Sequence, residues 1–181
     1  MRLIFAQFLV LFSFAALSTL VQANPELEKR IVLLPLTKWA EQHITDIMNV
    51  ETNADLQDAM DAFISKNVAM EFNGATVKRD DYIKSLKADL PGRVTGNASF
   101  SATVEVPTDP TSPVTAGWVG MFYITNSVYP SKQVTRTFSD NFLIQQDPSI
   151  PVPNNTITGI RGDFDGRRVM AIKRVFTEVT N

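Results

Sequence analysis

The sequence holds one histidine, His43, and no cysteine. His43 sits in "LTKWAEQHITDIMNV", Leu36 to Val50. At 100° per residue Leu36, Trp39, Ala40, His43, Ile47 and Val50 share one face of a helix. An imidazole there points inward. It is either a core or cleft histidine satisfied by a hydrogen bond, or a general acid/base in a pocket, because imidazole titrates near neutral pH. A second stretch, "VTRTFSDNFLI", Val134 to Ile144, puts Val134, Arg136, Phe138, Asp140, Phe142 and Ile144 on one face by the two-residue period of a strand. If that face is concave, Arg136 and Asp140 are buried polar groups that need partners. Asp140 would then orient His43, and Arg136 would steady an oxyanion. If the face lies under a helix end, both charges reach solvent at its rim and serve structure only.

Other chemistry is excluded by residue type. Without cysteine there is no thiol nucleophile, thiolate metal site or iron–sulfur cluster. One histidine leaves a zinc site to carboxylates, which suit zinc poorly. The sequence has no G-x-S-x-G elbow, Walker loop, G-x-G-x-x-G or H-E-x-x-H. "DFDG", Asp163 to Gly166, begins like a calcium loop, but Arg167 falls where an oxygen ligand is needed and no glutamate closes it. No metal and no cofactor are expected. Arg161-Gly162-Asp163 spells an integrin-recognition tripeptide, and its plainer reading is a turn between strands.

The chain opens with "MRLIFAQFLVLFSFAALSTLVQA". Arg2, the apolar run Leu3 to Leu17 and Val21-Gln22-Ala23 read as a signal peptide over residues 1–23. A signal anchor is the alternative, but Ser13, Ser18, Thr19 and Gln22 break the run and no basic cluster follows. Residues 24–181 are then one secreted, extracellular domain. The sequons Asn97-Ala98-Ser99 and Asn154-Asn155-Thr156 make Asn97 and Asn154 glycosylation candidates. With 17 Lys+Arg against 19 Asp+Glu, the chain carries no electrostatic footprint for nucleic acid. No second apolar stretch reaches membrane length. A disulfide-free secreted domain must rest on its hydrophobic core.

The elements that position these residues follow from pattern. A helix over Leu36 to Val50 precedes a second from about Asp55 to Lys66, with Asn53 as N-cap. A short strand, Val68 to Phe72, meets Asn73-Gly74, a pair suited to positive φ. Asp80 caps a third helix, Asp81 to about Leu90, with Tyr82, Ile83 and Leu86 inward; Pro91-Gly92 ends it. Strands follow. Ala98, Phe100, Ala102, Val104 and Val106 form one inward face, and Ala116 to Thr125 is apolar on both faces. Val134 to Gln146 alternates, and Arg168 to Val179 is last. Helices followed by long antiparallel strands make an α+β fold.

This order resembles the NTF2-like superfamily, including its SnoaL-like branch. The stretch that carries the likeness is "FISKNVAMEFNGATVKRDDYIKSL", Phe63 to Leu86, similar to that family's passage from helix two through a short strand to helix three. The chain resembles secreted fungal members of this type, most of them without an assigned activity. The resemblance implies a cone: a curved, mostly antiparallel sheet with about three N-terminal helices on its concave face. It also implies a cavity for a small apolar ligand and a homodimer formed through the sheet. Trp39, Phe63, Phe72, Trp118, Phe122, Tyr123, Phe138 and Phe142 are the aromatic candidates to line that cavity. In the ketosteroid-isomerase branch a carboxylate base lies on the short strand, at a place that falls at or next to Phe72, which holds no proton. Glu71 points to the opposite face, and the helix-one tyrosine is missing. The scytalone-dehydratase branch implies a histidine pair, and this chain has one. The expected function is therefore a non-enzymatic protein that binds a small apolar ligand or a protein partner. A SnoaL-like isomerase, cyclase or dehydratase using His43 is the alternative, and an effector acting through its surface is a further one.

Overall fold

The 3.6-residue spacing of Leu36, Trp39 and Ala40 builds α1, Leu36–Asn49, in a computed structural model that describes residues 33–151 and 165–181. The stripe buries Leu36, Trp39, Ala40 and Ile44, while His43, Ile47 and Val50 are half-buried at its edge. Thr52, not Asn53, caps α2 (Asn53–Phe63): its Oγ1 accepts from the Asp55 backbone N–H and donates to the Asp55 carboxylate. That helix ends at Phe63, short of the expected Lys66, because β1 (Ile64–Phe72) starts there without a loop.

Asn73 and Gly74 both take positive φ, 49° and 83°, and turn β1 into the two-residue β2 (Ala75–Thr76). The Asn73 side chain also continues the sheet. It donates to Phe176 O and accepts from Phe176 N on the last strand, as a backbone unit would. Helix α3 runs Arg79–Asp89 and buries Ile83. Asp80 does not cap it. Lys78 holds the N-cap position without a side-chain bond, and Asp80 and Asp81 lie in the first turn, where their charge favours the helix dipole.

Four long strands complete the sheet: β3 (Thr95–Pro107), β4 (Gly117–Tyr129), β5 (Lys132–Gln146) and β6 (Arg167–Thr180). Their order is β2-β1-β6-β5-β4-β3. Every pairing is antiparallel except β1 with β6. The core lies between this sheet and the helices, where Leu36, Met60, Phe142, Ile144 and Val169 are fully excluded from water. Burying such a side chain contributes at most about 2–3 kcal/mol.

A bulge in β3 corrects the expected inward face. The register with β4 shifts between Phe100 and Ala102, so Val104 and Val106 turn outward, each 61% exposed. The same slip turns Glu105 toward α1, where its carboxylate accepts from the Thr37 backbone N–H at 2.9 Å. Pro35 precedes that helix and caps nothing with its side chain, so β3 supplies the acceptor instead. Gly117 fits the same corner. A Cβ there would stand 2.5 Å from Val106 O and 2.9 Å from Leu36 Cδ1.

Candidate functional site

Period-two alternation carries Val134, Arg136, Phe138, Asp140, Phe142 and Ile144 to the helix-facing side of β5, with Ser139 and Asn141 outward. The charged pair of that strand therefore lies on the concave side. Asp140 is 1% exposed, a carboxylate on the inner face of a sheet.

Its partner is Arg174, directly opposite on β6. Arg174 Nε donates to Asp140 Oδ1 at 2.8 Å, and Nη2 donates to Oδ2 at 2.7 Å. The Tyr123 hydroxyl donates to the same Oδ2 at 2.7 Å and accepts from Arg174 Nη2 at 3.1 Å. Arg174 Nη1 donates to the Tyr82 hydroxyl oxygen at 2.8 Å. The guanidinium also sits 4.7 Å from the Phe138 ring centroid and 4.9 Å from that of Phe72. A buried ion pair is tolerable only when its remaining hydrogen-bonding capacity is met, and aromatic faces solvate the cation further. Burial pushes the Tyr123 hydroxyl well above its ordinary range; Arg174 opposes this and Asp140 adds to it. Burial alone would lower the Arg174 pKa, but Tyr123, Tyr82 and Asp140 outweigh it and hold the guanidinium charged.

Tyr82, Tyr123 and Arg174 floor a cavity of about 280 Å³ between the helices and the sheet. Ile44, Ile47 and Met48 from α1, Met60 and Phe63 from α2 and Leu86 from α3 form its apolar walls. Tyr82, Tyr123 and Arg174 bring the polar groups of the floor, beside the Phe138 ring. Arg136 stands at the rim, where it donates to Asp89 of α3 at 2.7 Å and to Glu178 of β6 at 2.6 Å. It is thus a clasp across the mouth, not part of the buried pair.

Of the aromatic candidates, Phe63, Phe72, Tyr123 and Phe138 line the cavity. Trp39 and Phe142 pack behind Phe63 in the core, with ring centroids 5.6 Å from it. Trp118 and Phe122, expected to line the cavity, lie instead on the other side of the sheet, each 43% exposed. On β4 it is Val119, Met121 and Tyr123 that face inward.

His43 lies apart from this cluster. Its ring is stacked on Phe63 at 5.3 Å and edge-on to Trp39 at 4.4 Å. Burial and then the Arg168 charge lower its pKa from 6.5 to about 4; Asp165 opposes and Arg167 adds. The ring is neutral at neutral pH. No hydrogen bond joins it to Asp140, whose two oxygens are taken by Arg174 and Tyr123.

Arg174 was not among the sequence candidates, yet the signal that marks Asp140 marks it too. On β6, Ile172, Arg174, Phe176 and Glu178 share a face by the same two-residue period. Asn97 is exposed near the start of β3. Residues 1–23, Asn154 and the Arg161-Gly162-Asp163 tripeptide lie outside the described residues. Among the described residues, no group of three or more His, Asp or Glu is placed to hold a metal, and no helix is long and apolar enough to cross a membrane.

No family model and no curated protein matches the chain. Solved structures do. The chain is similar to the Kfla4162 protein from Kribbella flavida, at 10% identity and TM-score 0.51, over 81% of this chain and 90% of that one. It is similar to a provisionally assigned aromatic ring hydroxylase from Novosphingobium aromaticivorans, at 11% identity and TM-score 0.51, over 80% and 92%. An NTF-2 like protein of unknown function from Silicibacter pomeroyi aligns at 9% identity and TM-score 0.43, over 80% and 93%. At such identities the likeness is one of fold. The chain has the NTF2-like fold, an α+β cone of three helices on a mostly antiparallel six-stranded sheet.

Proposed function

We propose that this chain is a secreted, non-enzymatic binding protein whose cone holds a small apolar molecule. The observation that carries this reading is the cavity itself, with apolar walls over a polar floor anchored by the Asp140–Arg174 pair. Ligand sites are typically apolar hollows with a few placed polar groups. Secretion rests on the leader-like residues 1–23 and exposed Asn97 suits a glycan. The non-enzymatic part rests on what faces the cavity. By the resemblance the isomerase branch's base would fall at or next to Phe72, which is no base, and His43 is not among the lining residues.

The bicyclic hydrocarbon tetralin tests the reading. A ligand present at about one hundred times its Kd adds about 2.7 kcal/mol to stability, so the melting temperature rises measurably. Ser85→Trp, a change at an exposed lining position on α3, fills the mouth and should abolish the rise while the fold persists. No rise with tetralin or compounds of its size removes the ligand-binding reading.

A second property is favoured by the outer sheet face. Val104, Val106, Trp118, Phe122 and Val175 are exposed there together, and on this reading a second copy of the chain covers them. Light scattering should give a dimer mass that Trp118→Glu with Phe122→Glu returns to the monomer. A wild-type monomer at high concentration ends the dimer proposal.

A further inference from the structure

We infer that the cavity selects a neutral ring compound carrying one carbonyl-type acceptor, which it holds through Tyr82 and Arg174. The inference rests on the binding role proposed above and specifies what that site takes.

Counting hydrogens leads to it. A guanidinium has five N–H donors and no acceptor. On Arg174, Nε–H is used by Asp140 Oδ1, and the two Nη2 hydrogens by Asp140 Oδ2 and Tyr123. One Nη1 hydrogen is used by the Tyr82 oxygen. The second Nη1 hydrogen and the Tyr82 hydroxyl hydrogen have no acceptor among the described residues. Both residues line the cavity. The floor therefore offers two adjacent donors, and a complementary ligand must bring an acceptor.

Charge decides which acceptor. Asp140 already balances Arg174, so an anion on the floor would be an unmatched charge between apolar walls. The rim sets Asp89 and Glu178 against Arg136 alone, which disfavours anions at the entrance. A cation on the floor would face N–H and O–H donors and would find the Phe72 and Phe138 faces already taken by the Arg174 guanidinium. A carbonyl oxygen satisfies the donors and adds no charge. Size limits the rest: about 280 Å³ is at the low end for small-molecule pockets, enough for one or two rings.

Calorimetric titration of the purified chain with tetralin, 1-tetralone and 1-naphthoate separates the outcomes. Without a partner the ketone would bind more weakly than the hydrocarbon, because it sheds water for nothing. The inference expects 1-tetralone to bind about tenfold more tightly than tetralin, and 1-naphthoate most weakly. In Tyr82→Phe, which keeps the Arg174 donor, the tetralone-to-tetralin affinity ratio should fall severalfold without inverting. Equal affinities in the wild type, an unchanged ratio in Tyr82→Phe, or a preference for 1-naphthoate overturns the inference and leaves the apolar binding role standing. Failure of all three compounds to bind overturns both.

Discussion

Asp140 and Arg174 face each other across β5 and β6, and the guanidinium holds both carboxylate oxygens, at 2.8 and 2.7 Å, with both side chains buried. Breaking such a pair from one side leaves a buried charge. Asp140→Ala should lose about 3–5 kcal/mol in urea unfolding. Asp140→Leu with Arg174→Met should recover most of that loss, since an apolar pair avoids the desolvation cost. Equal losses in the two variants would show that packing, and not the unmatched charge, sets the penalty.

Glu105 makes a smaller but separable contribution. Its carboxylate caps α1 from a neighbouring strand, through the Thr37 N–H. Glu105→Ala should cost about 1 kcal/mol in the same assay, the usual value of an N-terminal cap. Glu105→Gln keeps an acceptor and should lose less. The pair distinguishes capping from packing.

His43 predicts a pH dependence. Its pKa is about 4 in the folded chain against an ordinary 6.5. Between those values the unfolded chain takes up a proton that the folded chain refuses, so stability falls as pH drops from about 6.5 to about 4. The loss reaches at most about 3 kcal/mol at the bottom of that window. Below it, Asp147 and Asp165 act in their own range, their pKa values lowered from 3.8; stability they provide is lost as pH falls through those values. Melting curves from pH 7 to 4.5 should slope for the wild type and flatten for His43→Gln. Identical slopes would contradict the burial of the imidazole.

The sequence makes legible whatever one local period determines. α1, the Asn73-Gly74 turn and the alternation along β5 each follow from spacing or backbone preference, although which β5 face is concave does not. What it hides depends on contacts far along the chain. The β3 bulge turns Val104 and Val106 outward because β4 pairs across it and Glu105 is wanted at α1, and no local pattern encodes that. On β4 both faces are apolar, so nothing local separates Tyr123 inside from Trp118 and Phe122 outside. The association of Asp140 with Arg174 rather than His43 rests on strand register over 34 residues of separation. Thr52 and Asn53 are both good caps by residue type, so type alone does not choose between them.

The central claim is that the inside of the cone, and no other surface, receives an apolar molecule. Methyl-labelled protein saturated with tetralin tests it directly through nuclear Overhauser contacts. The cavity account predicts contacts from tetralin protons to methyls of Ile47, Leu86 and Ile172, all lining residues. It predicts none to Val104, Val106 and Val175 on the outer face. Contacts confined to those valines, or none to the lining methyls at saturation, would contradict it.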